Sequence, residues 1–321
     1  MASEGQAREA VTRRRAALLL GAGLAAASSA RAIESTHPFT ASRLAPPAYL
    51  PPASIEAAED IYRRMTAPVR INGQGPFPFV VDTGANQTVI AADLATRLSL
   101  PIGDLAPLNG VAGVQMAPTT TAQLTVGAHA HRDAVLSVLS GVDIGGAGLL
   151  GLEDLDGQAV TLNFRLRTLR IEPGRRAAND VDASVMRAHR RNGQLTIVDA
   201  DLDGAPLTAF LDSGAQNTIG NLALRSLAQT GAPTSHWTQA PIISVTGQTI
   251  DAEIASLPRL RVGGMTLFNW KVAFADLHTF RMWDLVDRPA ILLGVDVLSR
   301  FEYVCLDFAR DEVRFRLPQS G

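Results

Sequence analysis

The chain has 321 residues, which is enough for about two domains of ordinary size. Hydrophobic residues make up 46% of it and charged residues 19%, a composition that excludes a disordered or collagen-like chain. The formal net charge of -2 excludes a strongly basic nucleic-acid-binding protein. Cys305 is the single cysteine, so neither an intramolecular disulfide nor a thiolate metal cluster can form.

Residues 1–32 have the pattern of an export signal. Arg13, Arg14 and Arg15 precede an apolar stretch from Ala16 to Ala27, and small residues follow up to Ala32. The apolar stretch is shorter than the roughly 20 residues that a transmembrane helix needs. We therefore expect export to a periplasm by the twin-arginine or the general secretory route, and no membrane span after signal cleavage.

Residues 33–66 form an N-terminal extension. A proline-rich stretch at 46–52 predicts an extended chain. Apolar residues at helical spacing from Ile55 to Met65, with Ser54 as the N-cap, then predict a short amphipathic helix. Two interpretations are open for the extension: it packs on the body of the protein, or it is a removable pro-segment that covers a cleft.

The remainder of the chain contains the same order of signals twice. Residues 67–173 and 193–321 are predicted to be two similar domains, joined by a polar linker at 174–192. Each half has a hairpin, an apolar strand that ends in an Asp-Thr/Ser-Gly-Ala loop, a helical pattern and then a strand that ends in Leu-Leu-Gly. The matching segments are Asp82-Thr83-Gly84-Ala85 with Asp212-Ser213-Gly214-Ala215, and Leu149-Leu150-Gly151 with Leu292-Leu293-Gly294.

Short runs of Val, Leu, Thr and Phe, interrupted by Gly at intervals of about ten residues, predict an all-β protein with few helices. Each half is predicted to close with a hairpin, which joins 159–162 to 168–171 in the first half and 303–306 to 312–315 in the second.

The two Asp loops and the two Leu-Leu-Gly strands, in this order, resemble the aspartic proteases, in both their pepsin-like and retropepsin-like forms. The resemblance covers residues 67–317. It implies a bilobal acid-protease fold, in which two β-barrel-like lobes are related by a pseudo-twofold axis. It also implies endopeptidase activity on an extended polypeptide substrate, without a cofactor or a metal ion.

The same resemblance assigns roles to residues of this sequence. Asp82 and Asp212 would be the catalytic dyad, because two neighbouring carboxyls that share one proton provide an acid and a base together. Thr83 and Ser213 would join the two loops, and Gly84 and Gly214 would allow them to turn tightly. Gly151 and Gly294 would let their strands pass close beneath the Asp loops.

Two glycine-bearing segments resemble retropepsin flaps, the hairpins that cover the substrate. The first flap, in the first half, contains Gly110, Val111, Ala112 and Gly113. The second flap, in the second half, contains Val245, Thr246 and Gly247. Neither contains the tyrosine of pepsin flaps. Because one chain supplies both aspartates, we expect a monomer.

Ala85 and Ala215 predict the pH range of activity. Pepsins carry a hydroxyl residue at this position that stabilises the ionised carboxylate, and without it the pKa of the carboxyl is higher. We therefore expect activity at weakly acidic to neutral pH.

Other interpretations of single motifs are weaker. Asp199, Asp201 and Asp203 imitate a calcium loop, but Phe210 occupies the position of its last ligand, which favours a hairpin turn. His129 and His131 have no third ligand nearby, which disfavours a metal site. The alternative for the whole protein is an inactive peptide-binding module on the same fold.

Overall fold

This computed structural model describes residues 53–319, with gaps at 57, 61–62, 154, 156, 175–179, 192–193 and 232–235. The predicted signal segment, residues 1–32, lies outside the described residues. None of the described helices is long and apolar enough to cross a membrane.

The part of the chain from residue 53 to residue 173 is mostly strand, as predicted. Its elements, in chain order, are β1 (Ala53–Glu56), β2 (Ala58–Glu59), β3 (Met65–Ile71), β4 (Gln74–Val81), β5 (Val89–Ala91), α1 (Ala92–Arg97), β6 (Leu105–Gly110), β7 (Gly113–Val126), β8 (His129–Leu139), α2 (Gly141–Ile144), β9 (Gly148–Leu150), β10 (Gln158–Asn163) and β11 (Thr168–Pro173).

The part after residue 180 repeats this order, with a longer helix and one additional helix. Its elements are β12 (Ser184–Arg187), β13 (His189–Arg191), β14 (Gln194–Leu202), β15 (Ala205–Leu211), β16 (Ile219–Gly220), α3 (Leu222–Gly231), β17 (Thr238–Ile243), β18 (Thr249–Val262), β19 (Met265–Phe274), α4 (His278–Met282), β20 (Ala290–Leu293), α5 (Val295–Leu298), β21 (Tyr303–Asp307) and β22 (Glu312–Arg316).

Each lobe is a closed barrel of six strands. The first has the order β3-β4-β9-β5-β8-β7 and closes where β7 pairs with β3. The second has the order β14-β15-β20-β16-β19-β18 and closes where β18 pairs with β14. Alternating side chains fill each barrel with apolar residues, such as Phe79 and Leu136 in the first and Leu257 and Phe274 in the second. The bilobal all-β fold is therefore confirmed.

A six-stranded sheet joins the lobes, in the order β1-β11-β10-β21-β22-β12. The two predicted closing hairpins are present as β10–β11 and β21–β22. They pair with each other across the lobes through β10 and β21, where Val160 lies opposite Leu306 and Leu162 opposite Val304. All four of these side chains are buried, so apolar residues from both halves pack together on this sheet.

The helix predicted at 55–65 is wrong. The described residues of this segment form the end of β1, β2, a turn that contains Arg64 and the start of β3. β1 pairs with the edge of β11, with Ile55 opposite Leu169. Ile55 is buried there and lies against Gly127. Pairing with an open sheet edge outweighs the helical pattern, because local propensity is weak compared with burial and strand pairing.

The same topology settles one of the weaker motif interpretations, the turn at Asp203. Asp203 and Gly204 form the β14–β15 turn with positive φ angles of 50° and 87°, which is the hairpin that the sequence favoured over a calcium loop.

Strands β12 and β13 lie within the predicted linker 174–192, and the domain boundaries themselves stay predictions.

Candidate active site

The two Asp loops begin where a parallel strand pair ends in each lobe. β4 lies parallel to β9, and β15 lies parallel to β20. The backbone N–H of Asp82 donates to the carbonyl of Leu150 at 2.9 Å, and that of Asp212 donates to Leu293 at 3.0 Å. The Leu-Leu-Gly strands thus fix the start of both loops, which is why the two motifs occur together in the sequence.

Both carboxylates are held in the same way by their own loops. The N–H groups of Gly84 and Ala85 donate to Asp82 Oδ1 at 2.9 and 3.0 Å. Those of Gly214 and Ala215 donate to Asp212 Oδ1 at 2.9 and 3.0 Å. Charge-assisted bonds from two backbone donors fix the orientation of each carboxyl.

The structure brings the two predicted aspartates together. Their carboxyl groups are close enough for each to affect the ionisation of the other, and each residue is only 8% exposed. The glycine of each loop lies against the aspartate of the other lobe: a Cβ on Gly84 would be 2.7 Å from Asp212 Cγ, and one on Gly214 would be 2.4 Å from Asp82 Cγ. Any larger side chain would push the carboxyls apart.

Thr83 and Ser213 connect the two loops through buried hydroxyls. Thr83 Oγ1 donates to the carbonyl of Leu211 at 2.9 Å and accepts from the N–H of Ser213 at 3.0 Å. Ser213 Oγ donates to Val81 at 2.6 Å and accepts from the N–H of Thr83 at 3.1 Å. These four bonds all cross between the lobes, so each hydroxyl fixes the position of the other lobe's aspartate.

A second pair of hydroxyls, which the sequence interpretation missed, supports the loops from below. Thr88 Oγ1 accepts from the N–H of Gly151, and Thr218 Oγ1 accepts from that of Gly294, both at 3.1 Å. Each threonine follows its aspartate by six residues, so the repeat contained a signal that could have revealed them.

Each threonine also forms a hydrogen bond with an acidic residue, which follows the glycine of the Leu-Leu-Gly motif by two residues in the sequence. Glu153 accepts from the N–H of Thr88 at 2.7 Å, and Asp296 accepts from the hydroxyl of Thr218 at 2.8 Å. Both lobes therefore join a threonine, a glycine and an acidic residue in the same arrangement, with Glu153 in the first lobe and Asp296 in the second. These hydrogen bonds fix the Leu-Leu-Gly strand to the Asp loop.

Burial raises the pKa of both aspartates above the ordinary value. For Asp82, the N–H of Gly84, the carboxyl of Asp212, the N–H of Ala85 and the charge of Arg64 oppose this rise. For Asp212, the negative charge of Asp82 adds to burial, and its pKa lies well above the ordinary value. Two such coupled carboxyls favour a single shared proton, and the pair titrates as a unit.

Arg64 is a further charged residue of the site, and sequence reasoning missed it. Its buried guanidinium pairs with Asp60 at 2.7 Å and donates to the carbonyls of Ile144 at 2.7 Å and Gly214 at 3.4 Å. It thus connects a turn before the first barrel to the Asp loop of the second. Its position depends on contacts across 150 residues, for which the local sequence carries no signal.

The predicted flaps are the hairpins β6–β7 and β17–β18. Gly110, Val111, Val245 and Thr246 line the space above the aspartates, and Ala112, Gly113 and Gly247 lie in the turns and at a strand end beside them. The first flap reaches the second lobe: the N–H of His278 donates to the carbonyl of Val111 at 2.8 Å.

A cleft of about 780 Å³ lies between the lobes, beneath the flaps and above both aspartates. The apolar part of its first-lobe wall is aliphatic, with Val89, Leu108 and Leu139. Its second-lobe wall contains Phe210 and Trp283, which stack with ring centroids 6.0 Å apart. An apolar groove with a few polar groups at its centre suits a ligand that binds mainly through side-chain burial.

Metal ligation has no support in the described residues, where no group of three or more His, Cys, Asp and Glu side chains could hold an ion. The two aspartates face each other and their own backbone donors. Two neighbouring carboxyls that share a proton can supply an acid and a base at the centre of the cleft.

Comparison with known protein families agrees with this geometry. Residues 67–157 match the gag-polyprotein aspartyl protease family, and residues 198–297 match the aspartyl protease family. A search of the curated proteins finds no match to the chain. The matches lie one in each barrel, and each contains one Asp loop and one Leu-Leu-Gly strand. The chain therefore belongs to the aspartyl proteases, as a retropepsin-like member that carries two lobes in a single polypeptide.

Proposed function

We propose that this protein is an aspartic endopeptidase that hydrolyses extended polypeptides with Asp82 and Asp212 as its catalytic dyad. The observation that carries the proposal is the geometry of the dyad: two buried, neighbouring carboxyls, each held by two backbone donors, at the centre of an interlobe cleft. The family supports aspartic protease activity in general.

The proposal gives the two aspartates different roles, with the charge of Arg64 favouring Asp82 as the ionised member. Asp82, with the charge of Arg64 opposing the rise in its pKa, is the carboxylate that takes a proton from a water molecule. Asp212, whose pKa is raised further, donates its proton to the scissile carbonyl oxygen. The water oxygen bonds to the carbonyl carbon and gives a tetrahedral diol. When the C–N bond breaks, the amine leaves with a proton that Asp82 received from the water, and a diol proton restores Asp212.

The substrate would bind as an extended strand along the cleft. The flap edges at Gly110 and Thr246 offer backbone groups for β pairing, and the wall residues offer apolar pockets for alternate side chains. A peptide in this position would place one peptide bond over the dyad.

The dyad is complete within one chain, so we propose that the protein acts as a monomer. Export to a periplasm by the signal segment, and processing or degradation of proteins there, are parts of the same proposal and depend on the sequence pattern alone.

The test is cleavage of a mixed peptide library by the purified full chain between pH 3 and 8, beside Asp82→Asn and Asp212→Asn. We expect the wild type to cleave, and each variant to lose at least about a thousandfold in kcat, because each removes one half of the acid-base pair.

Asp143→Asn is the matched control, since Asp143 is an exposed acid that lines the same cleft. It should retain activity within a few-fold of the wild type. If the wild type binds library peptides and is as inert as both dyad variants, the protein is a peptide-binding module and the proposed activity is wrong.

A further inference from the structure

We propose that Lys271 binds an acidic side chain of the substrate, at one position a few residues from the scissile bond. The proposal rests on the proposed function, because it assigns substrate selectivity to the same cleft. It concerns a residue that lies away from the dyad, on the wall of the second lobe.

The position of Lys271 follows from the register of the second barrel. Ala273 on β19 lies opposite Ile219 on β16, the strand that follows the Asp212 loop. Lys271 precedes Ala273 by two residues, so both side chains lie on the same face of the strand. Ala273 and Lys271 both line the cleft, and the Lys271 side chain is exposed there.

The charge of Lys271 is not neutralised within the described part of the chain. Two cationic side chains line the cleft, Arg64 and Lys271. Arg64 is 5% exposed and forms a close ion pair with Asp60. Lys271 has no hydrogen bond or ion pair to any described residue, and it is the only lysine of the sequence. Its ammonium group is therefore available to a ligand.

An ammonium on a flexible stem is suited to a side-chain carboxylate. It supplies three donors that do not require one fixed geometry. The neighbouring cleft residues Ala273, Ile254 and Ala252 are apolar, so they can contact the aliphatic part of a Glu or of the next apolar side chain. Because Lys271 is exposed, the ion pair is screened by water, and its effect should be a few-fold rather than a few hundredfold.

The corresponding position in the first lobe carries no charge. In the second lobe Ile219 pairs with Ala273, and in the first lobe Val89 pairs with Ser137 in the same way. Lys271 lies two residues before Ala273, so its counterpart in the first lobe is Val135, which lies two residues before Ser137. Val135 is 51% exposed and aliphatic. The preference for an acid should therefore occur on one side of the scissile bond and be absent from the symmetry-related position.

The experiment starts from a peptide that the full chain cleaves. Each position, from four before to four after the scissile bond, carries Glu, Gln or Lys in turn. We expect Glu to exceed Gln in kcat/KM by about three- to fivefold at a single position, mainly through KM. The preference should weaken at high salt, disappear in Lys271→Met and change to Lys in Lys271→Glu.

Arg259→Met is the matched control, since it removes one exposed positive charge from β18 of the same lobe, and Arg259 does not line the cleft. It should keep the preference for Glu. A preference that survives in Lys271→Met, or that is absent at all eight positions of an active wild type, would overturn the proposal.

A binding measurement separates this proposal from the proposed activity. A second series, built with the same Glu, Gln and Lys replacements on a library peptide that the full chain binds, is titrated against Asp212→Asn, which is expected to bind without cleaving, and against the same variant with Lys271→Met. If no peptide is cleaved by the wild type but Glu still increases affinity through Lys271, the peptidase function fails and the acidic site stands. If binding shows no dependence on charge, the acidic site fails whether or not cleavage occurs.

Discussion

The two lobes are nearly identical around the aspartates and differ in the cleft walls. Each aspartate accepts the same two backbone bonds, and each loop is joined to the other by one hydroxyl. Phe210 on the wall of the second lobe packs with Phe280 and Trp283, whereas the corresponding Val80 of the first lobe is buried and does not line the cleft. The reaction requires two matched carboxyls, whereas selection among substrates requires two different walls.

The largest difference expected between lobes concerns the glycines below the Asp loops. A Cβ on Gly294 would lie 2.6 and 2.7 Å from backbone atoms of Asn217, which cannot move without the loop. A Cβ on Gly151 would first meet the end of the Glu153 side chain, at 2.2 Å, and backbone only at 3.0 Å. We expect Gly294→Ala to lower the free energy of unfolding by about 3 kcal/mol and Gly151→Ala by about 1 to 2 kcal/mol.

Urea unfolding of both variants, with Gly157→Ala as an exposed turn control, measures this difference. A Cβ on Gly157 would meet nothing within 4 Å, but its φ of 77° makes that variant a measure of backbone strain alone. Equal losses in Gly294→Ala and Gly151→Ala would show that the two supports are equivalent.

The hydroxyls of Thr83 and Ser213 should instead behave alike. Thr83→Val and Ser213→Ala each remove one hydroxyl that donates one interlobe bond and accepts another. We expect each to lower the free energy of unfolding by about 2 kcal/mol, because buried partners in the other lobe lose their bonds. The double variant should cost less than the sum, because both hydroxyls hold the same interlobe junction and loss of the first already loosens the contacts of the second. A strictly additive double variant would mean that the hydroxyls act independently.

The pH dependence should reveal which lobe carries the proton. Burial raises the pKa of both aspartates, so a dyad with one proton persists above the usual aspartate range, and activity should peak at weakly acidic to neutral pH. The acid limb of kcat/KM then reports protonation of Asp82, and the alkaline limb reports loss of the Asp212 proton. Raised values also mean that these groups favour folding at low pH and lose that contribution as pH rises through their folded-state pKa.

Serine at Ala85 or Ala215 tests that assignment. A hydroxyl beside a carboxylate stabilises its charged form and lowers its pKa. Ala215→Ser should move the alkaline limb down by roughly half a pH unit to one unit, and Ala85→Ser should move the acid limb by a similar amount. A wild-type profile that peaks below about pH 3 would contradict the raised pKa values.

The smallest expected effect concerns the contact of the first flap with the second lobe. Val111 packs against the buried apolar cluster of the second lobe, which includes Phe280 and Trp283, and accepts a bond from the backbone of His278. Val111→Ala keeps the backbone bond and removes part of the apolar contact, so KM should rise by about two- to threefold. Val114→Ala, in the same flap but outside the cleft, is the control and should leave KM unchanged.

The repeat made the barrels, the Asp loops and the closing hairpins predictable, because each depends on residues that are close in sequence. Asp82 and Asp212 could be paired in advance because both halves have the same order of motifs. The strand β1 and the interlobe bond of Arg64 could not be predicted, because their partners are distant in the sequence. β1 pairs with β11 at Thr168–Pro173, and Arg64 donates to the carbonyl of Gly214. The repeated Thr88 and Thr218 could have been found, since their spacing from each aspartate is the same.

The central claim is that one chain assembles the whole site from its two lobes. It is tested most directly by mixing Asp82→Asn with Asp212→Asn at equal concentration and measuring peptide cleavage. If each chain forms its own site, every site in the mixture lacks one carboxyl, and the mixture stays as inactive as either variant. Activity that returns on mixing, towards a quarter or half of the wild-type rate, would show that lobes from different chains form the site and would contradict the account.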